Sequence, residues 1–319
     1  MQRYLLVLRF AAMSDDPRLE PALATVWPGR ATVVVPIEAG ITNRNYRVDV
    51  DGETFVLRLA GTDTELLGID RAAEVEAGRV AAAAGVGPEV VAFEPDLGCI
   101  VTRFVGGSPI PEDQLGDEAV MRSLVASIRA IHGSRPIRAT FPVFRIVEGF
   151  RDVAAARGVQ VPADYEAAHA VAGRIEEAFA GAPAPLTTCH NDLLNANFLL
   201  EGDHTWIVDY EYAGMGDPFF DLGNLSINNG LDDDAQALLL RTYFGDVRDV
   251  HRARLALMRI VSDLREAMWG VVQQAISTLD FDYVDYAGRH FARCLASAGD
   301  GRFEDWLRAA EAPIRMPRS

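Results

Sequence analysis

The chain contains no lysine. All 30 of its basic residues are arginine, which removes every chemistry that needs a lysine amine: a Schiff base, a pyridoxal-phosphate anchor, the phosphate-binding lysine of a P-loop. Any phosphate must be met by arginine, histidine, backbone N–H groups or a metal ion. Arginine itself is missing from residues 175–240, a stretch that carries twelve acids. Cysteine is scarce. Cys99, Cys189 and Cys294 are odd in number, far apart and without metal-ligand spacing, which points to a reducing compartment and no disulfide framework. Long apolar runs are missing too. Tyr4–Leu8 is cut short by Arg9, and nothing approaches the ~18 residues of a membrane span. A cytoplasmic protein is expected, with either Met1 or Met13 as its native start.

What is present is an ordinary globular composition: 319 residues, 49% hydrophobic and 24% charged, enough for two lobes. A formal net charge of -16 argues against a nucleic-acid partner, because phosphate backbones need a basic footprint. It suits small cationic ligands. Oligomeric state is not legible.

The order of elements is β-rich first and helical afterwards. A short helix is expected within 14–29. Strands follow at Ala31–Ile37, Asn45–Val50 and Thr54–Leu59, the last two joined by Asp51-Gly52, then a helix near Asp70–Ala84 and strands Val90–Glu94 and Cys99–Phe104. Val105-Gly106-Gly107-Ser108-Pro109 reads as a linker. Apolar residues at helical spacing then predict helices at Leu115–His132, 143–157, 163–180, 232–244, 249–279, 282–298 and 303–311. The reading is an α+β protein with an extension at 1–29, a small antiparallel lobe at 30–105 and a larger helical lobe at 106–319.

The most informative stretch runs from Thr188 to Asp221, TCHNDLLNANFLLEGDHTWIVDYEYAGMGDPFFD. Two apolar runs, Phe198–Leu200 and Trp206–Val208, flank a Glu201-Gly202-Asp203 turn, which predicts a hairpin. A hairpin returns the chain to its start, so Asn197 and Asp209 should become neighbours, with Asp192 close by. An amide and two carboxylates can hold a hard cation such as Mg²⁺ and place a base beside it. A base Asp, an Asn five positions on and a second Asp beyond a hairpin is the layout of the protein-kinase catalytic loop. Asp192 is then the candidate base, and Asn197 and Asp209 the candidate metal ligands. Arg58 ends the third strand, where kinases keep a phosphate-holding lysine, and Glu74 or Glu76 on the next helix could pair with it. Those two glutamates point about 200° apart, so at most one can do so, and Glu74 is preferred.

Ile41-Thr42-Asn43-Arg44-Asn45-Tyr46, Phe55–Leu59, His190–Leu200, Asp209–Ala213 and Asp217–Asn224 together resemble the choline/ethanolamine kinases, above all the bacterial LicA-like choline kinases, within the aminoglycoside-phosphotransferase, protein-kinase-like superfamily. The resemblance spans about residues 30–298. It implies ATP and Mg²⁺ as cofactors, with Thr42, Asn43, Asn45, Arg58 and Glu74 at the nucleotide and the hinge backbone of Arg103, Phe104 and Val105 at the adenine. It implies Asp192 as the acceptor of the substrate's hydroxyl proton, with His190, Asn191 and Asp221 in support.

The acceptor pocket of the family resembles the run from Trp269 to Tyr286. A quaternary ammonium has no N–H to donate and is recognised by aromatic faces, so Trp269 and Tyr286 become cage residues, with Asp192 and Glu211 supplying negative charge. One departure stands out. Glu266 occupies the place of the first tryptophan in the W-x-x-W of eukaryotic members, and a carboxylate there favours ethanolamine or another primary amine over choline. Choline is placed first; ethanolamine, an aminoglycoside or another cationic alcohol are the alternatives. From a different class, a silent nucleotide-binding module is opposed by the intact Asp192, Asn197 and Asp209. A two-metal hydrolase is opposed by His190 being the one histidine in the cluster.

Overall fold

The computed structural model describes residues 16–37, 43–61, 63–277, 279 and 281–317. The chain divides into two compact units: residues 1–61 with 90–104, and residues 62–89 with 105–319. Residues 62–89, part of the 30–105 stretch expected as one lobe, therefore group with the second unit.

Among the described residues, the first unit is one α-helix on one sheet. Strands β1 (Thr32–Ile37), β2 (Arg44–Val50), β3 (Glu53–Leu59), β4 (Val90–Glu94) and β5 (Cys99–Arg103) form an antiparallel sheet in the order β1-β2-β3-β5-β4. Asp51 and Gly52 both have positive φ, 50° and 84°, the two-residue turn whose twist matches an antiparallel hairpin and which glycine makes cheap. Strand alternation then decides the faces. Tyr46, Val48, Val50, Phe55, Leu57 and Leu59 turn inward against Leu19, Ala22, Leu23 and Trp27 in and just after α1 (Leu19–Val26). Arg58 lies on the opposite face, half-buried, paired in register with Asn45 on one side and Ile100 on the other.

The second unit is mostly helical. It contains α2 (Arg71–Ala83), α3 (Glu118–His132), α4 (Val143–Ala156), α5 (Asp164–Ala180), α6 (Pro218–Asn228), α7 (Asp233–Phe244), α8 (Asp249–Ile276), α9 (Tyr283–Ala298) and α10 (Phe303–Ala310). Short strands join them: β6 (Ser108–Pro109), β8 (Phe198–Glu201) and β9 (His204–Ile207) form one sheet, and β7 (Thr187–Cys189) pairs with β10 (Gly214–Gly216). Side-chain caps start several helices, Asp70 on α2, Asp117 on α3 and Asp232 on α7. The central element is α8, whose residues from Leu255 to Gln273 are buried almost without break while α4, α6, α9 and α10 pack around it. No helix among the described residues is long and apolar enough to cross a membrane.

One helix was not expected. The stretch PFFDLGNLSIN of α6 shows no apolar stripe because it is buried on all sides. Its start was marked, however, by Asp217, which caps Phe219 N–H, and by Pro218 in the first turn. Gly223 lets α6 approach α8 closely, since a Cβ there would lie 2.7 Å from the carbonyl carbon of Met258. Gly223→Ala is expected to cost about 1–3 kcal/mol by overpacking, measurable as a lower urea midpoint at unchanged m. An unaltered midpoint would mean the two helices separate at little cost.

Candidate functional site

The loop after β7 is held from below by α6. Both oxygens of Asp221, which is 1% exposed, are used: Oδ2 accepts His190 N–H at 2.8 Å and Oδ1 accepts Asn191 N–H at 2.6 Å. His132 Nε2 also reaches Oδ2 at 2.9 Å, and its Nδ1 meets the Tyr243 hydroxyl at 2.6 Å. Burial raises the Asp221 carboxyl, but the hydrogen bond and electrostatic pull of His132 together with the His190 backbone N–H outweigh it, so the carboxyl lies below its ordinary value. Further along, Leu193 N–H donates to Asn224 Oδ1 at 2.6 Å and Asn229 Nδ2 donates to Leu193 O at 2.9 Å. These clamps allow Asn191 to keep φ at 65°, a conformation that costs a non-glycine residue free energy and persists where surroundings over-determine it.

His190 joins the loop to the far side of the hairpin. Its Nδ1 accepts Asp192 N–H at 3.2 Å and its Nε2 donates to Val208 O at 3.0 Å, a pattern that a neutral imidazole satisfies in one tautomer. Burial lowers its pKa, which keeps it neutral. The hairpin closes as the sequence predicted, with Phe198 opposite Ile207 and Gly202-Asp203 between the strands. Val208 N–H donates to Asn197 O at 3.0 Å, so Asn197 and Asp209 are brought to the same end. Asn197 Nδ2 donates to Asp192 O at 2.9 Å, which turns its donor inward and leaves Oδ1 as the atom able to bind a cation. Asp209 has φ 67°, a second positive-φ residue beside the same loop. Two hard oxygen donors at one hairpin end fit Mg²⁺, which takes few ligands from protein.

The Asp192 carboxylate is met by a residue that sequence reasoning passed over. Arg265 on α8, 1% exposed, places Nη1 3.4 Å from Asp192 Oδ1 and 2.6 Å from Glu266 Oε1. Its guanidinium lies 4.4 Å above the ring of Tyr212, and its Nε and Nη2 have no hydrogen-bond partner among the described residues. Burial raises the Asp192 carboxyl strongly, against the pull of Arg265 and with the help of Glu266, Asp209 and Glu211. Burial likewise opposes the charge on Arg265, but Glu266 and Asp192 outweigh it and hold the guanidinium protonated.

From Arg265 the network continues into aromatic residues. Tyr286 OH donates to Glu266 Oε2 at 2.9 Å, and Trp269 Nε1 donates to Tyr212 OH at 3.0 Å. The Trp269 ring meets Tyr283 and Tyr286 edge-on, at 6.0 and 5.7 Å between centroids. Phe281, which is exposed, stands 4.8 Å from Tyr283 and 5.9 Å from Tyr286. Gly270 makes room for this group, since a Cβ there would lie 2.9 Å from Tyr286 Cδ1. The expectation of an open carboxylate at 266 needs correction: both oxygens accept hydrogen bonds inside the protein, and Arg265 pairs with the charge.

The remaining expected residues are distributed as follows. Glu211 is buried and paired with Arg71 Nη1 at 3.1 Å, and the same nitrogen reaches Glu74 at 2.7 Å. Arg71 thus binds both glutamates, another residue the sequence reading missed. Glu76 is taken by Arg135 and by Arg138 N–H, at 3.1 and 3.2 Å. Asn43, Asn45, Arg58, Arg103 and Phe104 belong to the first unit, Glu74 and Val105 to the second. Asn43 Oδ1 accepts Gly61 N–H at 3.3 Å, and Arg103 pairs with Glu53 at 2.7 Å. Thr42 lies outside the described residues. His132, Cys189 and Asp221 bring ligand-type atoms together, but Asp221 is spent on the loop and burial pushes the Cys189 thiol well above its ordinary value. This cluster is structural.

Comparison with known proteins agrees with this architecture. Residues 33–257 match the phosphotransferase enzyme family. The protein LicA of Haemophilus influenzae is 27% identical over 246 residues, covering 74% of this chain and 72% of that protein. Ethanolamine kinase 1 of Mus musculus is 25% identical over 304 residues, covering 82% of each. The crystal structure of a choline/ethanolamine kinase family protein from Mesorhizobium loti superposes with a TM-score of 0.79 at 32% identity, over 92% of this chain and 99% of that one. A protein-kinase-like α+β fold, a kinase-type loop and hairpin, and matches of this extent establish that the chain belongs to the phosphotransferase enzyme family and, within it, to the choline/ethanolamine kinases, enzymes that phosphorylate an alcohol group.

Proposed function

We propose that the protein transfers the γ-phosphate of ATP, with Mg²⁺, to the hydroxyl of a small amino alcohol, with choline the first candidate. The reading is carried by one observation: within a single unit, the Asp192 carboxylate is joined through Arg265, Glu266 and Tyr286 to the aromatic group of Trp269, Tyr283 and Phe281. A base for a hydroxyl and ring faces for an ammonium are the two ends that an amino alcohol presents.

In this reading Asp192 takes the hydroxyl proton. Asn197 and Asp209 would hold Mg²⁺, which neutralises charge on the phosphates. By the family resemblance, Asn43, Asn45 and Arg58 would be the phosphate contacts and the backbone of residues 103–105 the adenine contact. His190, Asn191 and Asp221 fix the loop. Tyr286, Trp269 and Phe281 form the amine site, where Trp269, only 6% exposed, acts mainly by fixing the rings beside it. Glu211, tied to Arg71, adds negative charge.

ADP release with ATP and Mg²⁺ over choline, ethanolamine, dimethylethanolamine, homoserine and kanamycin tests the reading, with turnover expected to be strongest on choline. Tyr286→Ala should raise KM for choline about 2- to 30-fold, the range of one cation–π contact, with KM for ATP unmoved. An enzyme that prefers kanamycin, or a Tyr286→Ala variant with unaltered choline KM, would overturn the amine site.

A further inference from the structure

We propose that Arg265 sets which amines this enzyme accepts: by consuming the carboxylate of Glu266 it leaves amine recognition to ring faces, and so favours N-methylated amino alcohols over primary ones. The inference rests on the amino-alcohol reading above. It concerns two adjacent residues of α8, both buried, Arg265 at 1% and Glu266 at 3% exposure.

Both oxygens of Glu266 are already engaged inside the protein. Oε1 takes Arg265 Nη1 at 2.6 Å and has Asn228 Nδ2 3.5 Å away; Oε2 takes Tyr286 OH at 2.9 Å. The guanidinium covers the Tyr212 ring and lies 3.4 Å from Asp192 as well, so one fixed cation already serves both Asp192 and Glu266. A primary ammonium carries three N–H donors and must replace its water with acceptors. A quaternary ammonium has no donor to satisfy and loses nothing by meeting rings alone. With Asp192 committed to the hydroxyl end, the acids near the rings among the described residues are already paired with arginine, Glu266 with Arg265 and Glu211 with Arg71, so a primary amine gains a strong acceptor only where Arg265 lets go of Glu266. The charge that made position 266 look like an ethanolamine site is thus cancelled by its neighbour.

Removing Arg265 should therefore reverse the preference. The measurement is the ratio of kcat/KM for choline to that for ethanolamine, because any harm that Arg265→Gln does to Asp192 affects both substrates alike and cancels. Arg265→Gln is expected to lower the ratio about tenfold, the scale of one charge-assisted hydrogen bond newly open to the primary ammonium. The double variant Arg265→Gln with Glu266→Gln should return it toward wild type, since the freed carboxylate is gone. Glu266→Gln alone, in which the amide oxygen can still accept from Arg265 or Tyr286, should move the ratio less than about threefold. ATP binding and melting temperature verify each fold. An unmoved ratio in folded Arg265→Gln overturns the inference. If that variant does not fold, Glu266→Gln decides: a selective tenfold loss on ethanolamine would mean the carboxylate does reach the amine, against the proposal, and a steady ratio supports it. A wild type active on neither amine overturns the amino-alcohol reading and this inference with it, whereas an active wild type with unresponsive variants overturns this inference alone.

Discussion

Asp192→Asn should lower kcat by about 10²–10⁴, the usual contribution of a positioned general base, while ATP still binds. The substitution is nearly isosteric, and the contacts that hold the loop are made by the backbone of residue 192, its N–H to His190 and its carbonyl from Asn197, neither of which changes. Stability should not fall. Burial raises the Asp192 carboxyl above its unfolded value, so ionising it costs the folded state free energy, a cost absent at low pH that grows as pH rises through and beyond the unfolded value. At neutral pH the amide removes that cost, and Arg265 keeps Glu266 at 2.6 Å. A melting temperature equal to or above wild type, with turnover lost, is the expected pair of results. The same raised pKa predicts that wild-type turnover falls as pH drops, because a protonated Asp192 cannot accept the hydroxyl proton. Full turnover in Asp192→Asn would remove the base assignment.

How much of this site could be read from sequence depended on whether its parts lie close together along the chain. The loop and hairpin from His190 to Asp209 were legible because turn residues between apolar runs fix a local geometry, and a hairpin must return Asn197 to Asp209. The order of strands and helices was legible for the same reason: apolar residues at period two or at helical spacing, bounded by turn residues, mark most elements locally. Arg265 was not legible. It is one of 30 arginines, on a helix buried around its circumference, and only tertiary packing brings it to Asp192, 73 residues away. Arg71 pairs with Glu211 across 140 residues and was hidden in the same way. Glu266 shows the cost of reading a residue without its neighbours. As a lone carboxylate among aromatics it reads as an ammonium ligand; with Arg265 beside it, it becomes half of an internal pair. The helix α6 failed for a complementary reason, since uniform burial erases the stripe by which helices are recognised.

That hidden helix carries the largest expected loss of stability. Asp221→Ala should destabilise the fold by about 3–5 kcal/mol, the range found when one member of a buried charged network is deleted. The physical source is specific: it leaves His190 N–H, Asn191 N–H and His132 without their acceptor in a fully buried place, and each orphaned donor costs about 1–3 kcal/mol. Against a total stability of about 5–15 kcal/mol for a domain, this is enough to populate the unfolded chain near physiological temperature. Asp221→Asn should lose less, because its remaining oxygen can keep one of the backbone N–H groups. The pH dependence follows from the sign of the shift. The Asp221 carboxyl is lowered in the folded state, so its contribution is full above the unfolded value of about 3.9 and is lost as pH falls through the folded value. Urea titration at neutral pH and again well below the unfolded value, at about pH 2, on wild type and Asp221→Asn, separates this from general acid loss, because the gap between the two should narrow as the folded carboxylate is titrated. A gap that stays constant across that range would mean Asp221 acts by shape alone. A loss below about 1 kcal/mol in Asp221→Ala would mean the strained Asn191 backbone is held by Asn224 and Asn229 instead, and that the loop bearing Asp192 rests on amides rather than on a buried charge.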